Sequence, residues 1–296
     1  MSTSVQLGDD PSAPMTAASR PAGRGRRSSI AMHAVLILSA IIVILPVAWI
    51  AIAAFKTQIA LLRGDFLFKP YLGNFEELLL AKSADYAMHF GNSVIVASVT
   101  TIIVLTIATL AAYSMVRLRW PRWVPAAMLM VSLIFHMVPS ITLVGPWYVM
   151  FRSLGWDNTH AALILTHVVL NLPIGIAVMT VFIRDLPLEI EEAARIDGCT
   201  TGQLLLRIIV PMVKPGLAAT GILVFIFSWN EFAVALTLTA RQTATVPVAI
   251  AKFAQEYEIK HGVMAAGAVL SAIPAIIVLL LAQRHIVKGL TAGAVK

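Results

Sequence analysis

Glu192-Ala193-Ala194-Arg195-Ile196-Asp197-Gly198 is a charged stretch in an otherwise apolar sequence, and Ile208-Ile209-Val210-Pro211 follows it closely. The chain of 296 residues is 59% hydrophobic and only 12% charged, with a mean hydropathy of +0.86. In a soluble domain about half of the residues are apolar and about a quarter are charged, so this composition indicates a membrane protein. The charged stretch is therefore expected to lie outside the lipid.

The residues around this stretch predict two short helices that are joined at a glycine. Asp185 followed by Pro187 is typical of a helix start, and the glutamates within 189–192 suit the positive end of the helix dipole. Gly198 can adopt the left-handed conformation that ends such a helix. Residues 200–203 form a capping-box sequence for the second helix.

Six segments of the chain are long and apolar enough to cross the hydrocarbon core, which takes about 20 helical residues. They lie near residues 31–54, 89–115, 123–150, 159–183, 216–239 and 262–283. The sequence therefore predicts an all-α membrane protein with six transmembrane helices. The transmembrane domain extends over 30–284, between a disordered basic tail over 1–29 and a short tail over 285–296. The charged stretch falls in the loop over 185–215, between the fourth and fifth spans.

The distribution of Lys and Arg predicts the orientation of the chain. With the N-terminus in the cytoplasm, 14 of the 22 Lys and Arg residues lie on the cytoplasmic side. The shortest loop discriminates best, and it carries Arg117, Arg119 and Arg122. Both termini and the loop over 185–215 are therefore expected in the cytoplasm. No cleavage-site pattern follows the first apolar run, which predicts a retained span and not a signal peptide.

The charged stretch resembles the EAA…G loop of permease subunits in binding-protein-dependent ABC importers. The likeness covers Glu192, the two alanines, Gly198 at the family spacing, and a closing Ile-x-Leu-Pro in which Val210 takes the place of leucine. In that family the loop is the docking surface for the ATP-hydrolysing subunit. The resemblance implies a type I ABC importer permease fold and the docking residues Glu192, Ala193, Ala194, Arg195, Asp197, Gly198 and Pro211. An ordinary amphipathic helix at the membrane interface is the alternative.

From about Asn92 to the C-terminus the chain is similar to the sugar-importer branch of that family. The likeness is carried by Val138-Pro139-Ser140, Leu154-Gly155, Leu172-Pro173 and Ser228-Trp229-Asn230-Glu231-Phe232. Residues 283–296 are similar to the C-terminus of the maltose-type second permease, which reaches between the two ATPase subunits. This resemblance implies ATPase contacts from Gly289, Leu290, Thr291 and Gly293. A frayed basic terminus is the alternative.

A solute pathway is predicted from polar residues within the spans. Glu231 is the one acidic residue in a predicted span, and ionisable groups inside the membrane are functional candidates by default. Trp229 offers a stacking face, while Asn230 and Glu231 offer hydrogen-bonding groups for a polyhydroxyl solute. Asn171 in the fourth span is a further candidate. The alternatives are interhelical hydrogen bonding for Asn171 and an interfacial anchor for Trp229.

Two long segments, roughly 56–88 and 240–261, are predicted on the outer side, and both mix aromatic residues with charges of both signs. Connections longer than about 12–15 residues are more often functional than short ones. In the maltose-type family the second region contacts the solute-binding protein, which implies contacts from Phe253, Glu256 and Tyr257. A passive connector is the alternative.

The sequence argues against several other classes of protein. The chain has no Gly-Lys dipeptide and so no Walker A loop, and no nucleophile–base constellation indicates an enzyme. The histidines of the spans have no helical metal-ligand spacing, so no metal site is predicted. Basic residues flank the apolar runs and do not cluster with stacking aromatics, which argues against nucleic-acid binding. The single Cys199 excludes a disulfide framework.

The prediction is a permease subunit of an ABC importer for a carbohydrate in the bacterial inner membrane. The resemblance implies two ATPase subunits that bind ATP and Mg²⁺, a second homologous permease, an extracytoplasmic solute-binding protein and surrounding lipid as partners, with no cofactor on this chain. One alternative is the same role for a polyol, a sugar acid or a glycerol phosphate. Another is a stand-alone secondary transporter, which needs intramembrane coupling charges and usually an internal repeat, and only Glu231 is available.

Overall fold

The computed structural model describes residues 24–80, 85–121, 123–254 and 259–292, which form helices and one isolated bridge between Ala254 and Ile259. The first half contains α1 (Arg24–Ala53), α2 (Gln58–Arg63), α3 (Gly73–Leu80), α4 (Tyr86–Arg117), α5 (Trp123–His136), α6 (Ser140–Ser153) and α7 (His160–Arg184). The second half contains α8 (Leu188–Ile196), α9 (Thr201–Leu204), a π-helical segment (Leu205–Ile209), α10 (Val210–Met212), α11 (Lys214–Trp229), α12 (Ala233–Leu238), α13 (Val246–Ala251) and α14 (His261–Ala292).

The chain divides into two units, one up to Trp49 and one from Ile50 onward. The first unit is described only through α1, which begins at Arg24. The end of the predicted disordered tail, residues 24–29, is therefore helical, whereas residues 1–23 lie outside the described residues. At the other terminus the predicted tail over 285–296 is helical as far as Ala292, because α14 continues without interruption.

Four helices are long and apolar enough to cross a membrane as single elements, namely Met32–Ala53, Tyr86–Arg117, His160–Arg184 and His261–Leu281. Two further crossings are possible if each of two bent helix pairs counts as one span. Helices α5 and α6 meet at 91°, and the segment Thr201–Met212 meets α11 at 77°. The predicted spans over 31–54, 89–115, 159–183 and 262–283 thus correspond to single long helices, whereas the second bent pair includes residues 201–212, which the sequence predicts in the cytoplasmic loop.

The predicted span over 123–150 is not one continuous helix. It ends at His136 and a new helix begins at Ser140, with Pro139 in an extended conformation at the N-cap. Proline disfavours the helical conformation of the residue before it, which ends α5 at this point. The predicted span over 216–239 is also divided, because α11 ends at Trp229 and α12 begins at Ala233.

Helix α4 is central to the second unit and packs against α7 and α11. In lipid, helix association depends on close van der Waals contact more than on the hydrophobic effect, and small residues permit that contact. The buried side of α4 accordingly carries alanine and threonine, among them Ala97, Ala108 and Ala112. Gly175 of α7 faces this side, where a Cβ atom would come within 2.8 Å of a methyl group of Val104.

Two apolar clusters lie toward opposite ends of α4. The docking end, defined as the end that contains residues 185–215, is built from Ala108, Ala112, Tyr113, Met179, Ile183, Ala194, Leu204, Ile209 and Val213. The opposite end contains Val96, Val144, Phe151, Leu163, Val234, Leu238, Ala244 and Val248. Because the first cluster includes Ala194 and Leu204, the charged stretch is fixed to the body of the protein.

Candidate functional site

The charged stretch forms the helix–glycine–helix arrangement that the sequence predicts. Helix α8 ends before Gly198, whose φ of +83° is left-handed. The capping box is present, since Thr200 and Gln203 exchange hydrogen bonds of 2.9 and 3.3 Å between side chains and backbone amides. The predicted cap by Asp185 is absent, because Pro187 holds the N-cap position and Asp185 ends α7.

Helix α8 has one exposed face and one buried face. Of the predicted docking residues in and beside it, the exposed ones are Glu192, Ala193, Arg195, Asp197 and Gly198. Ile196 extends this face with an apolar side chain that is 86% exposed. Ala194 is 5% exposed and belongs to the core, so the prediction that it faces a partner is wrong. Residues three apart share a helix face, and Ala194 shares its face with the buried Glu191.

Glu191 joins α8 to the body through a polar cluster that sequence reasoning missed. Its carboxylate accepts hydrogen bonds from Arg117 at 2.5 Å and from the hydroxyl of Tyr113 at 3.1 Å. The Arg117 guanidinium also donates to the carbonyls of Ile183 and Leu186. The sequence contains one signal for it, an arginine at the end of a span and an acid in the next cytoplasmic loop. That signal fits equally well the topology, the helix dipole and an i, i+4 pair of Glu191 with Arg195.

Pro211 lies at the bend between the π-helical segment and α11. The π-helical segment precedes it, and the amide of Val210 donates to the carbonyl of Leu205. A π-helical turn and a proline are both common causes of a helix kink. The segment then meets α11 at 77°. Pro211 is exposed, like the outer face of α8.

The four predicted pathway residues separate into two groups. Asn171 and Glu231 line a cavity of about 300 Å³ at the break between α5 and α6, together with His136 and Ser140. Trp229 lies elsewhere, where its indole N–H donates to the carbonyl of Ser271 at 3.1 Å. It also packs against the rings of Phe90 and Phe225.

Asn230 does not line this cavity either. Its exposed side-chain amide donates to the carbonyl of Ile226 at 2.9 Å. Residues two apart do not share a face of an α-helix, and α11 in any case ends at Trp229, so Trp229 and Glu231 face different surroundings. Of the four pathway candidates, the structure therefore places Asn171 and Glu231 at this cavity and Trp229 and Asn230 away from it.

Glu231 has a structural role in addition to its position at the cavity. Its two carboxylate oxygens accept the backbone amides of Val234 and Ala235 at 2.9 and 3.0 Å, which starts α12. His167, which is completely buried, lies with its Nε2 3.5 Å from this carboxylate and with its Nδ1 2.7 Å from the hydroxyl of Ser228. The polar residues thus connect α7 to the break between α11 and α12.

Asn171 makes its hydrogen bond within its own helix. Its side-chain amide donates to the carbonyl of His167 at 2.8 Å, one turn earlier in α7. The alternative of an interhelical hydrogen bond for Asn171 is therefore not what the structure contains. This bond leaves the side-chain oxygen of Asn171 at the wall of the cavity.

The predicted outer segment over 240–261 is held firmly at its beginning. Asn92 donates to the carbonyls of Gln242 and Ala244 at 2.8 and 3.0 Å, and Ser93 accepts the amide of Val246 at 2.8 Å. Helix α13 follows and packs against α4 and α14. The first half of this segment is therefore part of the folded body.

An exposed ion pair adds to this attachment. Arg241 and Asp85 approach to 2.5 Å, and the guanidinium holds the pKa of the Asp85 carboxyl below its ordinary value, while the carboxylate raises the pKa of Arg241. A lowered carboxyl pKa means that the pair persists at neutral pH and is lost only as the pH falls through the value in the folded protein.

The residues predicted to contact a binding protein are only partly described. Phe253 is half-buried and packs against the cluster that contains Val246 and Val263, so its ring is not a freely projecting anchor. Glu256 and Tyr257 lie outside the described residues. At the other predicted partner contact, Gly289, Leu290 and Thr291 have helical backbone in α14, and Gly293 is outside the described residues.

Comparison with known proteins gives the family. Residues 104–292 match the model of the family described as binding-protein-dependent transport system inner membrane component. The chain is 38% identical to the trehalose transport system permease protein SugB of Mycobacterium tuberculosis, over 86% of this chain and 92% of that protein. It is 36% identical to the trehalose/maltose transport system permease protein MalG of Thermococcus litoralis, over 88% of this chain and 94% of that protein.

Solved structures agree with the fold. A chain of a bacterial ABC transporter involved in the import of the acidic polysaccharide alginate superimposes with a TM-score of 0.69 at 22% identity, covering 92% of this chain and 99% of that chain. A chain of the alginate transporter in complex with a periplasmic protein gives a TM-score of 0.64 at 14% identity, covering 86% and 93%. The family predicted from the EAA…G resemblance is confirmed, and the chain belongs to the inner membrane components of binding-protein-dependent transport systems.

Proposed function

We propose that this chain is the permease subunit of an ABC importer that takes up a disaccharide or a related carbohydrate. The exposed face of α8 carries the proposal, because it presents Glu192, Arg195 and an 86% exposed Ile196 on a helix whose other face is fixed in the core. Protein interfaces combine apolar side chains at their centre with polar groups at their rim, and this face offers both kinds. The named relatives, which transport trehalose or maltose, support a carbohydrate as the solute.

The partners supply the energy and the solute. Two ATPase subunits bind ATP and Mg²⁺ and dock on α8, on Gly198 and on Pro211, with the C-terminal residues around Gly289 as a further contact. A second homologous permease completes the pathway across the membrane. A solute-binding protein delivers the carbohydrate to the opposite end, where the attached segment over 240–261 forms part of its landing surface.

The cavity at the α5–α6 break forms part of the solute pathway. Asn171 and Glu231 offer amide and carboxylate oxygens to hydroxyl groups, and the rest of the wall is largely apolar. Carbohydrates bind where a few polar groups converge within an otherwise apolar wall. ATP-driven movement of α8 would expose this cavity alternately to the two sides of the membrane.

The orientation can be tested with reporter fusions. The unequal distribution of Lys and Arg predicts that a reporter at Gly198 or at Lys296 reads cytoplasmic, whereas a reporter at Gly73 reads extracytoplasmic. The measurement is the activity of a paired phosphatase and fluorescent-protein fusion at each position. An extracytoplasmic signal at Gly198 would exclude docking of an ATPase, because ATP is hydrolysed in the cytoplasm.

The function itself is tested with the complete transporter in liposomes. We expect ATP-dependent uptake of trehalose or maltose, stimulated by the solute-loaded binding protein, with polyols and sugar acids as competing solutes in the same assay. Shortening the chain within 251–259 removes the bridge between Ala254 and Ile259, and we expect it to reduce this stimulation at least tenfold while the ATPase subunits stay bound. A shortened chain with unchanged stimulation would exclude this segment from the landing surface, and uptake of none of these solutes would overturn the carbohydrate assignment.

A further inference from the structure

The buried face of α8 contains an acidic side chain that the docking surface does not use. Glu191 is 1% exposed and lies next to Glu192, which is on the opposite, exposed face of the same helix. A charge is costly to bury unless it is paired and hydrogen-bonded. An apolar residue at this position would fill the same space, so packing alone does not require a glutamate.

Three parts of the chain meet at the guanidinium of Arg117. Its Nε donates to Glu191 of α8 at 2.5 Å, and its Nη2 donates to the carbonyls of Ile183 and Leu186 at 3.1 and 2.7 Å. These carbonyls belong to the end of α7 and to the link between α7 and α8. Arginine presents several donors in a rigid planar fork, so it fixes the relative orientation of the groups that it binds.

Tyr113 holds the second oxygen of the same carboxylate. Its hydroxyl donates to Oε2 of Glu191 at 3.1 Å, one turn before Arg117 on α4. Both oxygens of Glu191 are therefore bound to α4, and the side chain of Arg117 is only 10% exposed. Charge-assisted hydrogen bonds of this kind are shorter and stronger than neutral ones.

Helix α4 extends from this cluster to the opposite end of the protein. There Asn92 and Ser93 hold the segment around Gln242–Val246 by direct hydrogen bonds. One helix is thus bound by side chains to the docking helix at one end and to the proposed landing surface for the binding protein at the other. A displacement of α8 that moves α4 would therefore also move the proposed landing surface at the other end of α4.

We propose that Glu191 is a positioning residue which, with Arg117 and Tyr113, fastens α8 to α4 and α7 so that ATP-driven movement of α8 is transmitted to the membrane helices. The inference rests on the proposed function, because it assumes that an ATPase docks on the exposed face of α8. It separates two tasks within one helix: Glu192 and Ile196 face the partner, and Glu191 transmits the movement. Without the contacts of Glu191 with Arg117 and Tyr113, α8 would move with its partner while α4 stays in place.

The test compares Glu191→Gln with Glu189→Gln in the complete transporter. Glu189 lies in the same first turn of α8 but is exposed, so the control removes an equal charge without touching the cluster. We expect Glu191→Gln to co-purify with the ATPase subunits and to hydrolyse ATP, but to transport about tenfold less solute per ATP hydrolysed. The control should retain the wild-type ratio.

Tyr113→Phe provides an independent variant that keeps the ion pair and removes the hydrogen bond from the hydroxyl to Glu191. We expect a smaller loss in the same ratio, and no further loss when it is combined with Glu191→Gln. A purely structural role would lower assembly, hydrolysis and uptake together and leave solute transported per ATP unchanged. An unchanged ratio of solute transported per ATP hydrolysed in Glu191→Gln overturns the proposal. If Glu191→Gln fails to assemble with the ATPase, an unchanged ratio in Tyr113→Phe overturns it. A wild-type chain that does not bind the ATPase would instead contradict the proposed function.

Discussion

Gly198→Arg should release the ATPase subunits and lower ATP-driven uptake by at least about tenfold. Gly198 has a φ of +83°, and a left-handed conformation costs an L-amino acid about 1–2 kcal/mol. A Cβ atom at Gly198 would meet no other atom of this chain within 4 Å, so the folded chain has space for the arginine. A partner packed on this face has no such space. The measurement is the amount of ATPase that co-purifies with the variant, together with uptake in liposomes.

A matched control separates backbone strain from the loss of the docking surface. Gly155 has a φ of +67° and is equally free of neighbours within 4 Å, but it follows α6, away from the docking segment. Gly155→Arg therefore carries a similar strain and should keep its ATPase. Gly198→Ala keeps the strain without the bulk and should lose less than Gly198→Arg. Normal assembly of Gly198→Arg would remove Gly198 from the docking surface.

The elements that could be predicted from the sequence are those fixed by local chemistry. The long apolar runs gave α4 and α7, and the capping residues at Thr200 and Gln203 gave the start of α9. The left-handed Gly198 was predicted from its place after a helix-forming stretch. Each of these signals depends on a few neighbouring residues, so no knowledge of distant contacts was needed.

Helix breaks inside the membrane were not predictable in the same way. Pro173 and Pro274 lie within the continuous helices α7 and α14, whereas the chain breaks beside Pro139. A proline in a transmembrane helix is tolerated where neighbouring groups satisfy the carbonyl that it leaves unpaired. Whether those groups are present depends on tertiary packing, and the apolar pattern of the sequence is the same in both cases.

The two adjacent acids of α8 illustrate the limit for the candidate site. The motif identifies Glu192, but only the phase of the helix against α4 and α7 decides that Glu191 is buried and Glu192 is exposed. The pathway residues illustrate the same limit, because only the packing of the surrounding helices decides that Glu231 lines the cavity and that Trp229 contacts Ser271. Contacts between residues distant in sequence determine both outcomes.

Glu231→Ala should destabilise the protein by about 2–6 kcal/mol, since the amides of Val234 and Ala235 would each lose an acceptor, and an unsatisfied buried group costs about 1–3 kcal/mol. Glu231→Gln keeps one acceptor oxygen and should lose about half as much. Asn230→Ala is the control, because its exposed side chain bonds only to the carbonyl of Ile226. The measurement is thermal unfolding of the purified chain in detergent.

The same variants separate the helix start from the solute pathway. Glu231→Gln removes the charge from the cavity wall while part of the α12 start remains. If Glu231 contacts the solute, this variant should have a weaker apparent affinity for the solute than the loss of stability explains. If Glu231→Gln unfolds earlier but takes up solute with unchanged affinity, Glu231 serves only to begin α12. If Glu231→Ala unfolds at the wild-type temperature, the two amides have another partner and the cap does not stabilise the break. A lowered unfolding temperature combined with a weakened affinity is the result expected of a residue that both starts a helix and lines the pathway.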